Sequence, residues 1–78
     1  MELLHDIAII IGREYPKKYK TKVEFAAASD VEEATIRRVL KGEQNISVKL
    51  LEQICLAIDI DLHELFTEIH EKRKDSEQ

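Results

Sequence analysis

Apolar residues recur at three- and four-residue spacing along most of this 78-residue chain. That period lays them along one side of an α-helix, whereas a half-buried strand would alternate them. Periodicity decides here because composition does not: Ile and Val suit strands, while the abundant Glu, Lys, Ala and Leu suit helices. The first stretch carries Leu3, Leu4, Ile7, Ile10, Ile11 and Tyr15 on such a stripe. Gly12 weakens its interior. Pro16 ends it near Tyr15, because proline disfavours the α conformation of the residue before it. Lys17-Lys18-Tyr19-Lys20 then reads as a basic loop.

Four more helices are expected, so the fold class is all-α. Thr21 has N-cap chemistry, and Glu24 stands three residues on, the spacing of a capping box. The second helix then runs from about Lys22 to Ser29, burying Phe25, Ala26 and either Ala28 or Ser29. Ser29-Asp30 reads as a tight turn, since Asp tolerates the left-handed conformation better than most residues. Val31 follows as an apolar plug. The third helix runs from Glu32 or Glu33 to Lys41, with Ile36, Val39 and Leu40 inward and Thr35, Arg37, Arg38 and Lys41 polar. Gly42 suits the position just past its end. After the loop Glu43-Gln44-Asn45-Ile46, Ser47 caps a fourth helix from Val48 to about Ile58, with Leu50, Leu51, Ile54, Cys55 and Ile58 apolar. Asp61 caps a fifth, striped by Leu62, Leu65, Phe66 and Ile69. Residues 1–70 form one domain, and the polar tail 71–78 is expected to fray.

A domain of this size is marginally stable alone, and dimerisation is one remedy. Disulfides are not, because Cys55 is the single cysteine. The N-terminus lacks a basic n-region, and the run Ile7 to Ile11 is far shorter than the ~20 residues of a membrane span. The chain is therefore expected to be cytoplasmic and complete, with no membrane contact. Its net charge of −4 is uneven. Residues 1–42 carry eight basic against seven acidic side chains, and residues 43–78 carry four against nine. A nucleic-acid surface belongs in the first half. No metal or cofactor is expected: His63 and His70 lack partner ligands, and Cys55 lies on an apolar stripe. No nucleophile–base arrangement or glycine-rich phosphate loop suggests an enzyme.

The informative segment is Thr21 to Leu65. Two short helices flank a turn, with small Ala26 where the backbones approach, and Val31 and Ile36 at the corner. Such helices cross at a wide angle and leave one face of the second protruding. A protruding helix fits the major groove of B-DNA, where base pairs are distinguishable.

The segment resembles the Xre/Cro class of lambda-repressor-like helix-turn-helix domains. The resemblance rests on Phe25-Ala26, Val31, Thr35-Ile36, Gly42, Asn45, Ser47, Leu51, Ile54, Ala57-Ile58, Leu62 and Leu65-Phe66, and spans about residues 4 to 66. It implies a five-helix bundle that binds operator DNA as a homodimer, as phage repressors, restriction-modification controllers, antitoxins and general regulators do. It places Thr21 and Lys22 near a phosphate at the start of the second helix. It places Glu33, Ala34 and Arg38 on the base-reading face, with Arg38 bidentate to guanine, a contact of about 1–3 kcal/mol in discrimination. Arg37 and Lys41 would meet phosphates or base edges, and Asn45 and Ser47 the backbone. Leu62, Leu65, Phe66 and Ile69 are expected at the dimer seam, or else to close the monomer.

Three positions depart from the pattern. Asp30 stands where the class usually has glycine. Leu40 stands where many relatives pair a glutamate with an arginine of the first helix. Glu32 and Glu33 stand where many have Ser, Arg or Gln. These two carboxylates can repel phosphates, accept from cytosine N4, or only favour the helix dipole. They keep open a second function, that of a protein-interaction module such as an antitoxin or antirepressor. Lys17, Lys18 and Lys20 either attract phosphates nonspecifically or only solubilise their loop.

Overall fold

The computed structural model describes residues 3–43 and 45–76. Five helices follow in order: α1 (Leu3–Glu14), α2 (Lys22–Ser29), α3 (Glu33–Leu40), α4 (Val48–Ala57) and α5 (Leu62–Ser76), with a 3₁₀ turn at Tyr15–Lys17. No strand occurs among the described residues, so the chain is all-α. Gln44 of the expected loop, and Glu77 and Gln78 of the expected tail, lie outside the described residues.

Side chains set three of the helix starts. Thr21 Oγ1 accepts from the Glu24 amide at 3.1 Å. Ser47 Oγ accepts from Leu50 at 3.0 Å. Asp61 Oδ1 accepts from Glu64 at 2.7 Å while the Glu64 carboxylate accepts from the Asp61 amide at 3.1 Å, a complete capping box. Glu24 reaches one residue further back and accepts from Lys20.

Three helices end alike. Past α2, α3 and α4 the chain passes through Asp30, Gly42 and Asp59 with φ of 60°, 73° and 58°. Each left-handed residue turns its own amide, and the next one, back onto carbonyls of the last turn. Val31 donates to Ala26 at 3.0 Å, Glu43 to Arg38 at 3.0 Å, and Ile60 to Cys55 at 3.0 Å. At Gly42 a Cβ would also stand 3.4 Å from the His5 backbone, where α3 ends against the start of α1. Gly42→Ala is therefore expected to lower stability by about 1–2 kcal/mol, the penalty of a left-handed non-glycine residue. Asp30→Gly relieves the same penalty and is expected to raise it by up to ~1 kcal/mol, because a freer unfolded chain offsets part of the gain. Urea midpoints check both; shifts of the same sign would contradict the shared helix ending.

One core joins the helices: Ile7, Ile10 and Ile11 of α1, Phe25 and Ala26 of α2, Ile36 and Val39 of α3, Leu51, Ile54 and Cys55 of α4, then Ile58, Leu65 and Ile69. Phe25 has no exposed surface, and both Tyr15 and Tyr19 stack on its ring, with centroids at 4.9 and 5.7 Å. Tyr19 also donates its hydroxyl to the Ala57 carbonyl at 2.6 Å. The segment read as a basic loop is thus pinned to α2 and α4. Leu40 lies 3.8 Å from the space above Gly12, so apolar contact joins α1 and α3 there.

Helix α5 extends to Ser76, through most of the polar segment 71–78. Arg73 Nε donates to Asp6 at 3.0 Å, and Arg13 forks onto Glu68 at 2.5 and 3.0 Å, so α5 runs antiparallel to α1. Leu65 and Ile69, placed at the dimer seam, are 1% and 3% exposed inside the subunit's own core. Of the four seam positions, only half-buried Leu62 and exposed Phe66 keep surface for a partner.

Candidate nucleic-acid interface

α3 lies against α1 and α2. Ile36 and Val39 point into the core, and helical spacing then decides the rest. Ala34, Arg37, Arg38 and Lys41 are all exposed, while Glu33 and Thr35 are half-buried. Both arginines therefore stand on the open side of the rod. Arg38 and Lys41 make no side-chain hydrogen bond or ion pair among the described residues, and neither does Lys22. Their charges are available for an external anion.

Arg37 differs. Its Nε and Nη2 converge on Glu33 Oε2 at 3.0 and 2.8 Å, one helical turn back. Glu33 is thereby paired, whereas Glu32 is exposed and does not cap α3. In the basic segment before α2, Lys17 pairs with Glu14 and Lys18 with Asp59. The Asp59 contact raises the Lys18 ammonium's proton affinity, and Arg13 and Lys17 hold the Glu14 carboxyl below its ordinary range. Lys20 remains exposed.

Thr21 and Lys22 sit exposed at the start of α2, and Ser47 at the start of α4. Each cap oxygen accepts from its own helix, which leaves the hydroxyl proton to be donated outward. Around it lie the unpaired amides and positive dipole end of the helix, a natural setting for an anion. Asn45 is exposed and already engaged in a contact within the chain.

The other candidate sites resolve differently. Among the described residues no group of His, Cys, Asp and Glu is placed to hold a metal ion. His63 and His70 are exposed on α5. Cys55 is buried, and burial, helped by Asp61, pushes its thiol up to about 11. No described helix is long and apolar enough to cross a membrane. Periodicity also passed over Leu56, which is 69% exposed. It stands between a hollow of about 250 Å³ shared with Ile60, Asp61 and Glu64 and one of about 350 Å³ shared with Ala28, Asp30 and Gln53. Its signal was the one leucine of α4 lying off the stripe.

Residues 11–65 match the family model described as Helix-turn-helix. The chain is 31% identical over 74 residues to "Control protein C.MunI" of Mycoplasma sp, a match covering 88% of this chain and 100% of that protein. No solved structure matches the chain.

Proposed function

Because the chain belongs to the Xre-type helix-turn-helix family, we propose that it is a sequence-specific transcriptional regulator that sets α3 in the major groove of double-stranded DNA. One observation carries the reading. The outward side of α3 presents exposed basic groups, Arg38 and Lys41, whose side chains make no hydrogen bond or ion pair among the described residues. Arg38 donates two hydrogen bonds to guanine O6 and N7, and Ala34 meets a thymine methyl. Lys22 and Lys41 meet phosphates. Thr21 and Ser47 donate their hydroxyls to the backbone, and Asn45 lies in the same clamp. The role is binding rather than catalysis, and it is exercised in the cytoplasm. The name of the control-protein relative agrees with a regulatory role.

The regulator works as a homodimer. A chain of 78 residues gains stability from a partner, and two-fold symmetry sets two recognition helices ~34 Å apart. With Leu65 and Ile69 in the core, the seam falls to Phe66 and Leu62. Leu56 adjoins it, since it shares a hollow with the first turn of α5.

The second reading, a protein-interaction module, draws on the acidic second half of the chain and on unpaired Glu32. Selection from random duplexes, followed by titration at two salt concentrations, separates the two. A regulator yields an inverted repeat with half-sites about 10 bp apart, and an affinity that falls as salt rises, because bound phosphates displace counterions. Lys22→Ala is expected to weaken all sequences about equally and to reduce the log–log salt slope by about 1. Enrichment of no motif would contradict this reading and favour the interaction module.

A further inference from the structure

Glu33 is an odd residue to find on a surface meant for phosphates. A carboxylate there repels the ligand, and an exposed pair one turn apart adds little to helix stability. The geometry gives it another use. Arg37 has five N–H donors; its Nε donates to Glu33 Oε2 at 3.0 Å, and Nη2 stands 2.8 Å from the same oxygen as an ion pair. The terminal edge of the guanidinium, with one N–H from Nη1 and one from Nη2, donates to nothing among the described residues. That edge is still a two-nitrogen fork. Glu33 Oε1 accepts no hydrogen bond among the described residues. The pair thus carries donors and an acceptor side by side on a solvent-facing ridge.

The major-groove edge of a G·C pair presents the complement: guanine O6 and N7 as acceptors beside the cytosine N4 donor. We infer that Glu33 is a positioning and specificity-determining residue, which fixes the Arg37 guanidinium so that the two side chains together read one G·C pair. The inference rests on the DNA-binding reading above. In this arrangement the carboxylate trades general attraction to DNA for discrimination. It limits the rotamers of Arg37 before binding, and its second oxygen rejects a base that offers an acceptor where cytosine offers a donor. Glu32 has no arginine partner and takes no part.

The test compares the wild-type chain with Glu33→Ala, Glu33→Gln, Arg37→Ala and the double variant Glu33→Ala/Arg37→Ala, each titrated on the selected duplex and on its single-base variants. Glu33→Ala is expected to bind nontarget duplex more tightly, since a negative charge is gone, while losing roughly tenfold in preference at one G·C pair. Arg37→Ala loses preference at the same pair, and the double variant loses no more than the larger single loss. Glu33→Gln, which keeps a carbonyl acceptor, retains part of the preference. A readout without DNA accompanies these titrations. In the free wild-type chain the Arg37 Nε–H exchanges with water more slowly than that of Arg38, and the difference vanishes in Glu33→Ala. If Glu33→Ala tightens binding to every duplex equally and leaves all base preferences as they were, the carboxylate merely repels and the proposal fails, while the regulator reading stands. Equal exchange at Arg37 and Arg38 in the wild type overturns it as well. A wild-type chain without any base preference overturns both.

Discussion

Arg38→Ala is expected to weaken binding to the selected operator by about 1–3 kcal/mol per recognition helix, roughly 5- to 150-fold. The loss should fall on one base pair. On duplexes altered at that position the variant and the wild type differ little, so the four-base profile flattens there and stays intact elsewhere. Stability is expected to be unchanged. The Arg38 side chain is exposed and makes no hydrogen bond or ion pair among the described residues. Nothing in the fold depends on it. A titration series over all four bases, beside a urea melt, checks both halves. A uniform loss across every duplex would instead make Arg38 a phosphate contact.

Phe25→Ala acts on the other limb of the chain of cause. Phe25 is fully buried, and truncating such a side chain costs about 3–5 kcal/mol in lost transfer energy and residual cavity. Here the loss includes two ring contacts, since Tyr15 and Tyr19 both stack on Phe25. A domain of this length has a total stability of roughly 4–12 kcal/mol. The variant is therefore expected to be largely unfolded at 37 °C if the wild type lies near the low end, and to melt well below it otherwise. Operator binding falls with the folded fraction. Circular dichroism melts with and without operator measure it. A drop under about 1 kcal/mol would mean that Phe25 does not organise the junction of α2 with the Tyr15–Tyr19 segment.

The two variants separate because α3 has two sides with different tasks. Ile36 and Val39 hold the rod in the core, and Arg37, Arg38 and Lys41 stand outside. That division was readable from residue spacing, as were the caps at Thr21, Ser47 and Asp61 and the left-handed ends at Asp30 and Gly42. All are local: each depends on residues within about one helical turn.

What escaped the sequence was decided across the fold. The polar end of α5 carries no apolar stripe, so periodicity stops at Ile69. Arg73 nevertheless finds Asp6, and Glu68 finds Arg13, on a helix far away in the chain. Leu65 and Ile69 have the same periodicity whether they meet their own subunit or another. Only the place of α5 beside α1 and α4 assigns them inward. Tyr19 looked like part of a lysine-rich loop because its partners, Phe25 and the Ala57 carbonyl, are distant in sequence. Glu33 is intermediate. Its distance of four residues from Arg37 is a pairing signal visible in the sequence. The contact itself, with both Nε and Nη2 against Oε2, depends on side-chain rotamers that spacing does not give.

Methylation interference on the selected duplex addresses the placement of α3 most directly, since guanine N7 lies on the major-groove edge and adenine N3 on the minor-groove edge. Methylating one N7 in each half-site is expected to block the wild-type chain, and Arg38→Ala is expected to lose that sensitivity at its own guanine. Binding that tolerates methyl groups at N7 but is blocked by those at adenine N3 would put the chain in the other groove, and would contradict an α3 that enters the DNA by its arginine side.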